Sequence, residues 1–193
     1  GATEMASVWS LGFAVNIEVP ATIKAVVNGE FPPFVGAKDL ILNLIGTLTA
    51  QGANYKVLEF HGETIRRMST SGRIAVCNMS VEAGATSGIV PGDDETVRYL
   101  REESGVTEAI PCVAPDVDAH YVRTVEVDVS TLEPQIACPH MVDNVKPVSA
   151  VAGTKVQQIV IGSCTNGRLD DLAVAAEILR GRKVATGTRM LVF

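Results

Sequence analysis

Val156 to Leu179 reads VQQIVIGSCTNGRLDDLAVAAEIL, and the rest of the chain is organised around it. Ile159, Val160 and Ile161 form a short apolar run that predicts a buried strand. The run breaks at Gly162-Ser163-Cys164-Thr165-Asn166-Gly167. Leu169, Leu172, Ala176 and Leu179 then recur at helical spacing, with Asp170 and Asp171 in the first turn, Arg180 in the last and Gly181 as terminator. Met190 to Phe193 predicts a second strand. Strand, glycine-containing turn, helix, strand is an α/β unit, and it carries one cysteine at its turn.

A thiol beside a helix N-terminus faces unpaired N–H groups and the positive end of the dipole, which favours its thiolate. Thiolates bind soft metals and attack electrophiles. The bland alternative for Cys164 is a small, part-buried residue in a tight turn. Ser163, Thr165 and Asn166 place three hydrogen-bonding side chains next to it in sequence and weigh toward a site.

Working outward, Thr22 to Val27 and Tyr55 to Phe60 predict strands on either side of an amphipathic helix, Lys38 to Leu48. That helix carries Leu40, Ile41, Leu44, Ile45 and Leu48, with Gly46 as a late blemish. Phe13 to Val19 also alternates as a strand would, and Asn28-Gly29 signals a tight turn. Strand-helix-strand order favours a parallel sheet. Ser71 is positioned to cap a helix through Ile74, Cys77, Asn78, Val81 and Glu82, on which Asn78 and Glu82 share one face. Asp93-Asp94 can cap another from Glu95 to Glu103, with Val97 and Leu100 inward. Residues 105–119 read as irregular, Val122 to Val129 as a half-buried strand, and Leu132 to Val148 as proline-rich coil.

Composition narrows the class of function. At 193 residues, 47% hydrophobic and 20% charged, the chain has an ordinary globular balance. A net charge of −6 argues against a nucleic-acid surface, leaving Arg66-Arg67 and Arg180 to Lys183 as solvated patches. No apolar run reaches the ~18 residues of a membrane span. Gly1 to Met5 lacks the basic segment and apolar core of a signal peptide. Cys77, Cys112, Cys138 and Cys164 form no CxxC pair, so neither a zinc framework nor a disulfide scaffold is indicated, and a reducing cytoplasm is expected. Cys138 with His140 is a weak metal pair, and His61 reads as a structural, hydrogen-bonded histidine.

VIGSCTNGRLDD followed by AAEILRGRKVATGTRMLV resembles the first cluster-cysteine segment of the aconitase superfamily, and CNMSVEAGA resembles a second of its motifs. Within the family the likeness is to the large subunits of 3-isopropylmalate dehydratase and homoaconitase. The resemblance implies three-layer α/β/α domains with mixed or parallel sheets. Residues 1–12 would end a preceding domain, 13–147 would form an aconitase-like domain, and 148–193 would begin another. It implies a hydro-lyase that isomerises a hydroxy acid by dehydration and rehydration, in leucine biosynthesis or a homoaconitate pathway. Cys164 would be one of three thiolate ligands of a [4Fe–4S] cluster, with Asn166 beside it. Asn78 would contact cluster or substrate, and Glu82 the substrate's departing hydroxyl or water. The partners implied are a small subunit and a small hydroxy di- or tricarboxylate. The CxxC pair expected downstream and the Asp-Ser-His segment expected upstream are not in this sequence, so an internal piece of a larger subunit, inactive alone, is expected. The competing readings are a non-catalytic α/β binding module, a cluster-free RNA-binding relative and a cysteine-nucleophile enzyme.

Overall fold

The computed structural model describes residues 2–12 and 18–193. Most of the expected strand Phe13 to Val19 falls on residues 13–17, outside those described. Helix α1 spans Ala2–Leu11 and leaves Met5, Trp9 and Leu11 exposed. Strand β1 (Ala21–Asn28) leads into α2 (Ala37–Leu48), and β2 (Lys56–His61) follows. A short helix α3 (Glu63–Arg67) precedes α4 (Thr70–Met79), which tightens into a 3-10 turn over Ser80–Ala83. Then come β3 (Ser87–Ile89), α5 (Asp94–Glu102) and β4 (Arg123–Asp128).

These strands form one parallel sheet in the order β3-β2-β1-β4, with Ala25 opposite both Phe60 and Val125 and Leu58 opposite Gly88. Parallel neighbours need a crossover, and α2 and α4 supply two of them. The register aligns Ile23, Ala25 and Val27 with Leu58 and Phe60 on one face, where Leu40, Ile41, Leu44, Ile45 and Leu48 of α2 cover them. All ten are buried, and they form the centre of the hydrophobic core. The opposite face is polar: His61 pairs with Glu59 at 2.7 Å, Tyr121 donates to Glu59 at 3.0 Å, and the Lys24 ammonium lies 4.9 Å from the Tyr121 ring centre. His61 is therefore hydrogen-bonded within the sheet, as its sequence context suggested.

The stretch expected to be coil after Leu132 is a hairpin. Strands β5 (Gln135–Ala137) and β6 (Val145–Pro147) pair antiparallel and pack on α2. Asp39 explains the docking: one carboxylate oxygen accepts the Gly36 N–H at the start of α2 (2.8 Å), and the other accepts the Gln135 N–H (2.7 Å). Asp143 adds a bond from the Ala50 N–H at 2.9 Å. Gly46 is no blemish here, because a Cβ at that position would lie 3.1 Å from the Val145 Cβ. Short-range pattern could not show this contact, which joins residues about a hundred positions apart.

Three more expectations need correction. Ser69, not Ser71, caps α4, accepting the Gly72 N–H at 3.3 Å. Val97 and Leu100 are half-buried rather than inward, and α5 has no buried residue. Beyond the hairpin, a 3-10 turn (Val148–Val151) leads to β7 (Gln158–Ile161), α6 (Leu169–Leu179) and β8 (Arg189–Val192). β7 and β8 pair in parallel, so the strand-turn-helix-strand reading holds. The burial expected of it does not: no α6 residue is buried, and Leu169 is 81% exposed.

Candidate functional site

Cys164 lies in the turn between β7 and α6, exposed and with a free thiol. It precedes the N-cap Arg168 by four residues, so the turn holds it rather than the first turn of the helix. The turn is fastened locally. Ser163 has a positive φ of 82°, unusual for a residue with a Cβ, and its hydroxyl bonds the Thr165 hydroxyl at 3.2 Å and accepts the Thr165 N–H at 3.4 Å. The Arg168 N–H donates to Asp171 at 3.1 Å, which fixes the entry to α6.

Asn78 sits on the last turn of α4, and a cleft of about 550 Å³ is lined by both Asn78 and Cys164, together with Arg73, Cys77 and Arg168. The turn of one α/β unit and the helix of the other thus share one cavity. The Ser69 hydroxyl, 3.2 Å from an Asp170 carboxylate oxygen, joins the two units beside it. Asn166 faces elsewhere. It lines a larger cleft of about 900 Å³ with Asp39, Asp171 and Glu177. Glu82, expected on one helix face with Asn78, is instead exposed on the 3-10 turn that follows α4, lines neither cleft, and its carboxylate has no hydrogen-bond partner among the described residues.

Arg73, which sequence reasoning missed, is the best-anchored cation of the cleft. It is only 4% exposed. Its Nε donates to the Met68 carbonyl (3.0 Å), Nη1 to Asp93 (2.6 Å), and Nη2 to Asp93 (2.9 Å) and the Arg66 carbonyl (2.8 Å). The guanidinium beside Asp93 holds that carboxyl below the ordinary range, and the Thr96 N–H bond adds to the effect. Asp93 also caps α5, so one carboxylate ties two helices. The available signal was Arg73 on the same helical stripe as Val76, Cys77 and Ser80, a position where an unpaired arginine would be costly.

The four thiols divide by environment. Burial pushes the Cys77 thiol up to about 11, so it stays protonated at neutral pH although it lines the cleft. Cys112 is exposed, with its Sγ 3.8 Å from the Asp93 carbonyl oxygen, and Cys138 is half-buried at the start of the loop that joins β5 to β6. Among the described residues no three His, Cys, Asp or Glu side chains are grouped to hold a metal ion. The described residues therefore hold no complete cluster site, and exposed Cys164 could contribute a single thiolate to an iron–sulfur cluster.

A parallel α/β sheet, a second strand-helix-strand unit with a cysteine turn, and a cleft joining that turn to an asparagine-bearing helix define the class of protein. The aconitase family (aconitate hydratase) matches residues 1–153 and 146–193, and the chain belongs to that family. It is 49% identical over 192 residues to the Methanothermobacter thermautotrophicus protein named "Probable 3-isopropylmalate dehydratase large subunit". It is 46% identical over 192 residues to the 3-isopropylmalate dehydratase large subunit of Elusimicrobium minutum. Identity is 47% over 188 residues to the "Probable methanogen homoaconitase large subunit" of Methanosarcina mazei. These alignments cover 97–100% of this chain and 45–47% of the relatives, so the chain spans just under half their length.

Proposed function

We propose that this chain is part of the large, catalytic subunit of an iron–sulfur hydro-lyase that interconverts 2- and 3-isopropylmalate in leucine biosynthesis. The observation that carries the reading is the shared cleft of Cys164 and Asn78, in a chain similar along its whole length to large subunits of that name. A homoaconitase large subunit is the second reading, favoured by comparable identity to the Methanosarcina relative. The two matched segments meet at residues 146–153, and the core takes no residue beyond Val145. Both support a division near residues 148–155.

Dehydration of a hydroxy acid must expel hydroxide, a poor leaving group, and remove a weakly acidic proton. In the whole enzyme a [4Fe–4S] cluster supplies Lewis acidity when bound. Cys164 would give it one of three thiolates, and Asn166 follows in the same turn. Asn78 offers its amide to substrate or cluster from the end of α4. Glu82, by the family resemblance rather than by a place in this cleft, would offer a carboxylate to the departing hydroxyl or water, holding or releasing its proton. The two other cluster ligands are expected outside this chain, the base is not recognisable in it, and a small subunit is the proposed partner. Cytoplasmic placement goes with the four free cysteines. Among the described residues no helix is long and apolar enough to cross a membrane.

The deciding experiment uses the complete large subunit with its small subunit, reconstituted anaerobically and assayed with 2-isopropylmalate and with homoaconitate. Preferential turnover of isopropylmalate supports the first reading, and preference for homoaconitate the second. A correctly assembled, cluster-loaded complex that neither dehydrates 2-isopropylmalate nor hydrates homoaconitate overturns both.

A further inference from the structure

Arg168 differs from every other described cation in one respect. Its Nε is buried and has no hydrogen-bond partner, the one buried side-chain nitrogen or oxygen among the described residues in that state. No carboxylate pairs with its guanidinium among them either. The side chain lines the cleft shared by Cys164 and Asn78, while its own backbone N–H is satisfied by Asp171. Arg73 in the same cleft has every nitrogen engaged. Two arginines line this cavity and no Asp or Glu does, in a chain whose net charge is −6.

Arginine stays charged at any working pH, and its planar fork matches a carboxylate with two parallel bonds. A buried donor left unpaired in a native fold is accounted for by a water, an ion or a bound ligand. An anion with two coplanar oxygens would match the guanidinium fork, and the cleft is large enough for a small acid. Since Arg73 is committed to Asp93, Arg168 is the cation free to receive it.

We propose that Arg168 anchors a carboxylate of the small hydroxy-acid substrate in the cleft beside Cys164. This rests on the hydro-lyase reading above, and it adds a substrate-anchoring residue to that site. The test compares Arg168→Gln and Arg168→Lys with the unaltered enzyme in the cluster-loaded two-subunit complex, measuring KM, kcat and the cluster's absorbance. Malonate is the probe dicarboxylate for direct binding by calorimetry. The expected result for Arg168→Gln is a KM raised on the order of 10²-fold with cluster absorbance intact, with malonate affinity lowered in parallel. Arg168→Lys should restore part of the loss, since it keeps the charge but not the fork. If Arg168→Gln fails to assemble, Arg168→Lys alone decides, with an expected rise on the order of tenfold. An unchanged KM and unchanged malonate affinity in an assembled variant overturn the proposal. If the unaltered complex dehydrates no acid yet binds malonate, and loses it with Arg168→Gln, the hydro-lyase reading fails while the anchor stands.

Discussion

Arg73 and Asp93 show how a single ion pair can hold up a site. Arg73→Met would leave Asp93 only its cap on α5, whereas Asp93→Asn keeps one side-chain oxygen and two backbone carbonyls as acceptors for the buried guanidinium but removes the opposing charge. Because those acceptors remain and Asp93 is a third exposed, Asp93→Asn is expected to cost about 2–3 kcal/mol, below a fully broken buried pair. Urea unfolding would measure it. The folded-state pKa of Asp93 is depressed, so its contribution is present above the unfolded value of about 4 and is lost as pH falls through the folded value. Stability of the unaltered protein should therefore decline more steeply below pH ~4 than that of Asp93→Asn. Thiol chemistry gives a second residue-scale prediction. At pH 8, iodoacetamide should alkylate exposed Cys112 and Cys164, while Cys77, raised to about 11, stays unmodified until unfolding. Peptide mass spectrometry reads the order directly, and early modification of Cys77 would contradict its burial.

At the scale of elements, helices α2 and α6 look alike in sequence and differ in the structure. Each has an apolar stripe, yet α2 buries six residues and α6 none. Leu44→Ala is thus expected to destabilise by about 2–5 kcal/mol, and Leu172→Ala by under about 1 kcal/mol. Similar losses at both positions in thermal unfolding would mean that α6 is packed as tightly as α2. Gly62 sets the join between β2 and α3. Its φ is +100°, and a Cβ there would come within 2.1 Å of the Val27 carbonyl oxygen. Gly62→Ala should cost about 3 kcal/mol through strain and steric overlap, and an unshifted denaturant midpoint would refute that.

For the whole molecule, the site belongs to two units, and its chemistry can be judged only in the assembled enzyme. There, Cys164→Ser should abolish cluster absorbance and activity together, whereas Glu82→Gln should keep the absorbance and lower kcat by ~10²-fold or more. Retained activity in Cys164→Ser would remove the cysteine from the cluster. The sequence by itself determined the parallel α/β class, the bounds of α2 and α6 to within a residue, and the cysteine turn, because periodicity and caps are local signals. It also singled out Cys164, Asn166, Asn78 and Glu82, through motifs that are contiguous in the chain. Only the tertiary structure decided that Cys164 and Asn78 line one cleft while Asn166 lines another. The same holds for the β5–β6 hairpin on Gly46, the pairing of Arg73 with Asp93, and the missing partner of Arg168. Each of these depends on groups brought together by packing from separate parts of the chain, and side-chain periodicity carries no record of such neighbours.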